Sequence, residues 1–210
     1  FAGAHLISVT DVDAGTGNIQ VAVTVTNGKF TLNPAANLTG VTVVGNGTGA
    51  VSMTGPLPVI NGALNGSTYT PTDHFNTDDT GVKPTLTLTT NDNGLTGTGG
   101  PKADTDVMTI TVNSVNDNPT AVDDFSAANP RLILENSTNN VIEVLANDSF
   151  APDVNETLTI VGKTNGARGT VTISTDGKTV SYAHTSGTLG ADSFTYTISD
   201  GRGGTATATV

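Results

Sequence analysis

The strongest constraint on the fold is a two-residue hydrophobic period that recurs in short runs and is never sustained. Ile19, Val21, Val23 and Val25 alternate with Gln20, Ala22 and Thr24, which turns every large apolar side chain to one face of a strand. The alternation returns at Leu86 and Leu88, at Met108, Ile110 and Val112, and at Phe194, Tyr196 and Ile198. Gly, Asn, Asp or Pro closes each run. Such a chain builds half-buried strands that pack as facing sheets. Further short strands are expected at residues 6–10, 30–32, 38–44, 50–54, 132–134, 141–145, 158–161, 170–173, 179–182 and 205–210. Asn27-Gly28 and Asp176-Gly177 read as hairpin turns. Residues 57–64 are the exception, one or two helical turns with Ile60 and Leu64 on one side.

Composition narrows the function classes. Eight basic and nineteen acidic side chains give a formal net charge of −11, and basic patches of the kind that bind nucleic acid are absent. Sixteen acidic residues are Asp and three are Glu, which favours the short carboxylate of turns and metal loops over the better helix former. There is no cysteine, so disulfides and thiolate metal sites are excluded. No apolar run of about twenty residues spans a membrane, and no signal peptide is visible.

The two halves repeat one another. Asp11-Val12-Asp13 corresponds to Asp153-Val154-Asn155, and Thr26-Asn27-Gly28 to Thr164-Asn165-Gly166. Tyr69 and the strand at 85–89 correspond to Tyr182 and the strand at 193–198. Asn91-Asp92-Asn93-Gly94 corresponds to Ser199-Asp200-Gly201. Most of the extra length of the first half lies between Asn33 and Ser67, as an added hairpin and helical turn. The halves meet at Asn113–Asp124. There Asn116, Asp117 and Asn118 present oxygens on three successive residues, and Pro119 stiffens the segment and biases Asn118 toward extended backbone. Oxygen-only donors suit a hard cation such as calcium. Two all-β domains are expected, residues 1–116 and 117–210.

This order of motifs resembles the cadherin-like tandem repeats of large bacterial surface and adhesin proteins. In the second half it is carried by Val144-Leu145-Ala146-Asn147-Asp148, the acidic loop at Asp153 and the run from Thr195 to Gly201. In the first half it is carried by Asp11-Val12-Asp13 and by Ile110-Thr111-Val112 leading into Asn116-Asp117-Asn118-Pro119. The resemblance implies tandem Greek-key β-sandwiches of cadherin/Ig-like type, arranged end to end with calcium between neighbours. In such a sandwich the chain runs up and down between two ends. That parity brings Asp153, Asn155 and Asp200 to the linker end of the second domain, and Asp73, with Asp78 and Asp79, to the linker end of the first. Asp11, Asp13 and Asp92 fall at the far end of the first domain, where they form an open acidic site. Carboxylates gathered without an ion repel by roughly 1 kcal/mol per close pair even in water. Two departures from the family pattern, Ser114 and Asn155 in place of acids, are expected to weaken calcium affinity. Phe1 begins where a second strand is approached, so the first strand is expected to lie upstream.

Signals for catalysis are poor. His5, His74 and His184 are isolated, and neither a His-Glu-x-x-His nor a Gly-x-Ser-x-Gly motif occurs. Asp104 and Asp106 share one strand face and read as charges that protect a sheet edge. The function expected is a calcium-stiffened spacer, non-enzymatic, on the surface of a bacterium or secreted from it. Its partners are neighbouring repeats, with no nucleic acid and no membrane contact. The rival readings are carbohydrate binding and homotypic adhesion between cells.

Overall fold

A computed structural model describes residues 6–12, 14–94, 100–185, 187 and 189–210. The chain is mostly β and divides into two units, Phe1–Ser114 and Val115–Val210. Val115 and Asn116 therefore go with the second unit. Among the described residues no helix is long and apolar enough to cross a membrane.

In the first unit β1 (Asn18–Val25), β3 (Thr42–Val44), β4 (Ala50–Pro56), β6 (Thr85–Asn91) and β7 (Ala103–Thr109) form an antiparallel sheet in the order β3-β4-β1-β6-β7. A second sheet pairs β2 (Gly28–Thr31) with β5 (Thr68–Pro71). The apolar phase of β1 buries Ile19, Val21 and Val23, and they share a core with Phe30 of β2 and Met53 of β4. Two sheets around one core make a sandwich. The inserted region also supplies α1 (Leu57–Leu64), which carries a proline in its first turn and buries Ile60, Ala63 and Leu64, an i, i+3, i+4 stripe. Asn65-Gly66, with Gly66 at φ 88°, ends it.

Several expectations are corrected. Residues 6–10 form no strand, although Ile7 and Val9 are buried. Asn61 of α1 takes the place of a neighbouring strand: its Oδ1 accepts from Val9 N at 2.8 Å and its Nδ2 donates to Val9 O at 2.9 Å. An Asn61→Ala variant should cost the first unit about 1–3 kcal/mol, because two backbone groups lose their partner. A urea titration that shows no change would refute this. Asn27-Gly28 makes no hairpin either. It carries the chain from β1, paired with β4 and β6, to β2, paired with β5. Residues 38–44 form a strand only at Thr42–Val44. Met108 lies opposite Leu86, on the inward side of the sheet, but is not buried there. It is 42 % exposed, and every residue of β7 is exposed.

The second unit has two three-stranded sheets. One is β8 (Asn140–Ile142), β10 (Gly169–Ile173) and β11 (Val180–His184), in the order β10-β11-β8; the other is β9 (Thr159–Lys163), β12 (Thr195–Ser199) and β13 (Thr205–Thr209), in the order β13-β12-β9. Phe194, Tyr196 and Ile198 are buried in the core between them. Asp176-Gly177 lies in the hairpin joining β10 to β11. Residues 132–134 form no strand: Ile133 packs on the core while Leu132 and Leu134 are exposed. After β8 the chain tightens into a 3-10 turn, Val144–Asn147.

The repeat has a packing counterpart. In β2 and β5, Phe30 lies opposite Tyr69, and a Cβ on Gly28 would strike the Tyr69 ring. In β10 and β11, Val171 lies opposite Tyr182, and a Cβ on Gly169 would strike the Tyr182 ring. Each unit thus lays a tyrosine over a bare glycine backbone. The equivalent glycine is Gly169 rather than Gly166, three residues later than the motif alignment places it.

Candidate functional site: the acidic collar of the second unit

The segment entering the second unit is held by two buried carboxylates. Asp153 is 9 % exposed and Asp200 is 3 % exposed. Asp117 N donates to Asp153 Oδ2 at 2.7 Å, and Asn116 Nδ2 donates to Asp200 Oδ2 at 2.9 Å. The other Asp200 oxygen accepts from Arg202 N at 2.7 Å and Gly204 N at 3.0 Å, so one carboxylate ties the β12–β13 turn to the entering segment. Pro119 is buried. Gly204 lies beneath it, where an added Cβ would meet Asn118 Cα, Pro119 Cδ and the Asp200 carboxylate. Thr120 and Ser149 then exchange backbone hydrogen bonds of 2.7 and 3.0 Å. Burial pushes the Asp200 carboxyl up, but the Asn116 amide and the Arg202, Gly204 and Gly203 backbone donors outweigh it and hold it below its usual value.

The remaining expected residues have other roles. Asn155 is exposed and adopts a left-handed φ of 58°, as Asn tolerates in tight turns. Asn118 enters through its backbone against Gly204. Asp73 sits on an exposed turn of the first unit. Its neighbour Asp78 accepts from Ser114 N at 3.1 Å, while Thr77 N and Oγ1 both donate to Val112 O at 2.8 Å. These bonds hold the chain's exit from the first unit. Asp92 Oδ1 accepts from Gly94 N at 2.8 Å and Lys102 N at 2.7 Å; these bonds close the neck of a loop, and the one from Gly94 leads in lowering the carboxyl's pKa. Asp11 Oδ1 accepts from Ala14 N at 3.1 Å, and Asp13 lies outside the described residues.

By type, the collar's oxygens suit a hard cation. By position they are engaged with amides, and among the described residues no three His, Cys, Asp or Glu side chains gather as a metal-holding group. Sequence reasoning missed Glu156, whose side chain is 1 % exposed and whose Oε1 lies 3.4 Å from Arg202 Nε. The run Asp153-Val154-Asn155-Glu156 was the available signal.

It also missed a second carboxylate cluster beneath the collar. Tyr196 is fully buried. Its hydroxyl lies 3.0 Å from Val144 O, 3.2 Å from Val122 O and 3.1 Å from both Asp148 oxygens. One donor therefore faces several acceptors, and a proton on a neighbouring carboxyl is favoured. Burial pushes Asp124 up to about 6, with Asp148 and Asp123 adding to the rise against a hydrogen bond from Tyr196. Burial also raises Asp148. A carboxyl whose folded pKa lies above its unfolded value binds more protons in the folded state. Its stabilisation is fully present below the unfolded pKa and is lost as pH rises through about 6. The second unit should therefore be more stable at pH 5 than at pH 7.5, by on the order of 1 kcal/mol once solvent screening is allowed for. Asp124→Asn should flatten that slope in thermal melts, and an unchanged slope would contradict the assignment.

Residues 116–210 match the family model described as Bacterial Ig domain. Among solved structures, chicken VE-cadherin EC1-2 is similar at 18% identity, covering 88% of this chain and 83% of that one with a TM-score of 0.31. No curated protein matches the chain.

Proposed function

We propose that the chain supplies two structural, adhesion-type modules to a large extracellular bacterial protein, and that its task is spacing rather than catalysis. The bacterial Ig match over residues 116–210 supports the module class. The observation that carries the spacer reading is the collar. By gripping Asn116 and Asp117, Asp153 and Asp200 make the entering segment part of the second unit's fold, which removes slack from the connection. Carbohydrate binding is the weaker reading: the rings of Phe30, Phe194 and Tyr196 are buried in the cores, which leaves the partly exposed Phe125 and Phe150 to serve it.

Calcium is the second element of the proposal. Asn116, Asp117, Asp153 and Asp200 are its candidate donors, and the ion would add to the single positive charge that Arg202 brings to the carboxylates here. Extracellular modules bind at about 10⁻⁴–10⁻³ M, and tenfold excess over the dissociation constant adds only about 1.4 kcal/mol. Each unit should therefore stay folded under chelation. Small-angle scattering is expected to give a longer, better-defined particle at millimolar calcium than with chelator, and Asp117→Ala should abolish the difference. Coinciding profiles would end the calcium proposal and leave the hydrogen-bonded collar standing.

A further inference from the structure

The collar closes on itself through an ion pair. Asn116 and Asp117 of the entering segment hold Asp200 and Asp153. Those two carboxylates stand on separate pieces of chain, the loop at 153–156 and the turn between β12 and β13. The pieces meet again at Glu156 and Arg202, where Oε1 lies 3.4 Å from Nε. Segment, loop and turn thus form a closed circuit. The Arg202–Glu156 contact joins loop to turn without passing through the entering segment.

The turn is shaped to present this arginine. Gly201 and Gly203 flank it with φ of 84° and 114°, backbone that glycine adopts at no steric cost. Arg202 N is fixed to Asp200 Oδ1 at 2.7 Å. The Glu156 side chain is 1 % exposed and that of Arg202 47 %. The carboxylate is therefore the anchored half of the pair, and the guanidinium keeps one side in water. Asp153 and Asp200 are buried as well. Withdrawing carboxylates from water is costly unless hydrogen bonds and counter-charge offset it, and Arg202 brings that charge.

We propose that Arg202 is the clasp of the collar. Paired with Glu156, it holds the 153–156 loop against the β12–β13 turn, so that Asp153 keeps the Asp117 amide without a metal ion. Arg202 acts through Glu156 and Asp153 and is a positioning residue. The proposal rests on the collar that carries the spacer reading, and it deepens that reading by naming what locks the entering segment.

Amide exchange at Asp117 in the full chain, with chelator present throughout, tests it. Arg202→Gln should speed that exchange at least tenfold, while the amides of β12 keep their protection and report a folded unit. Arg202→Lys retains the charge and should recover part of the loss. Glu156→Gln should also speed the exchange. The double variant Arg202→Gln/Glu156→Gln should be no faster than the faster single variant, because both substitutions cut the same link. Exchange unchanged in Arg202→Gln, no recovery in Arg202→Lys, or single effects that multiply in the double variant overturns the proposal. None of these results bears on calcium, which the scattering experiment tests on its own.

Discussion

Tyr196→Phe should destabilise the second unit by about 2 kcal/mol, the penalty of leaving buried acceptors without a donor. The ring is kept, so the core around Ile198 and Phe194 is not emptied, and the loss isolates the hydroxyl. That hydroxyl ties β12 to three separate places: the entering segment at Val122, the 3-10 turn at Val144 and Asp148 beyond it. Asp148 retains the bond from Val122 N at 2.8 Å but loses its phenolic partner. For a unit of this size the midpoint of its thermal transition should fall by about 10 °C. Tyr196→Ala should cost more, about 3–5 kcal/mol, because a cavity is added. A Tyr196→Phe variant within about 0.5 kcal/mol of wild type in urea would show that the acceptors find water instead.

Asp200→Ala is the second large loss, about 3 kcal/mol, since hydrogen bonds to a charged group are each worth about 1.5–3 kcal/mol. Asp200 serves Asn116, Arg202 and Gly204 together. The cost is therefore shared between the β12–β13 turn and the entering segment. Asp153→Ala removes one bond to backbone and should cost about 1–2 kcal/mol. Because the Asp200 carboxyl sits below its usual value, its contribution is present at neutral pH and lost as pH falls through the lowered folded value. Its acid limb thus opposes the Asp124 trend, and the second unit should be most stable near the unfolded carboxyl value, about pH 4. Denaturant titrations of Asp200→Ala and Asp200→Asn separate charge from shape. Equal and negligible effects would contradict the collar.

Much of the sandwich is legible in the sequence because strand burial has a fixed period. The alternation of β1, β6 and β12 matches their buried faces residue by residue, and the helical stripe at Leu57–Leu64 is equally direct. Failures occur where a partner was not a strand. Residues 6–10 have the right alternation, but their polar backbone is met by the Asn61 side chain. At Asn27-Gly28 the turn chemistry is right, yet the chain changes sheet there, which local sequence does not encode. At the site, strand parity in the sandwich that the cadherin-like resemblance implies set Asp153 and Asp200 beside the Asn116–Asp117 segment, where the hydrogen bonds place them. It could not show that Asn155 would serve its turn through a left-handed backbone. Asp124, Asp148 and Tyr196 were overlooked because no short spacing joins them; only the folded chain brings positions this far apart to one hydroxyl.

The collar is tested most directly by amide hydrogen exchange at Asp117 in the intact chain. Strong protection of Asp117 N–H is expected in the wild type, with or without chelator, because its acceptor is the Asp153 carboxylate. In Asp153→Ala that protection should fall at least tenfold, while amides in the core strand β12 keep theirs. Exchange of Asp117 at the rate of an unstructured peptide in the wild type, or protection unchanged in Asp153→Ala, would contradict it.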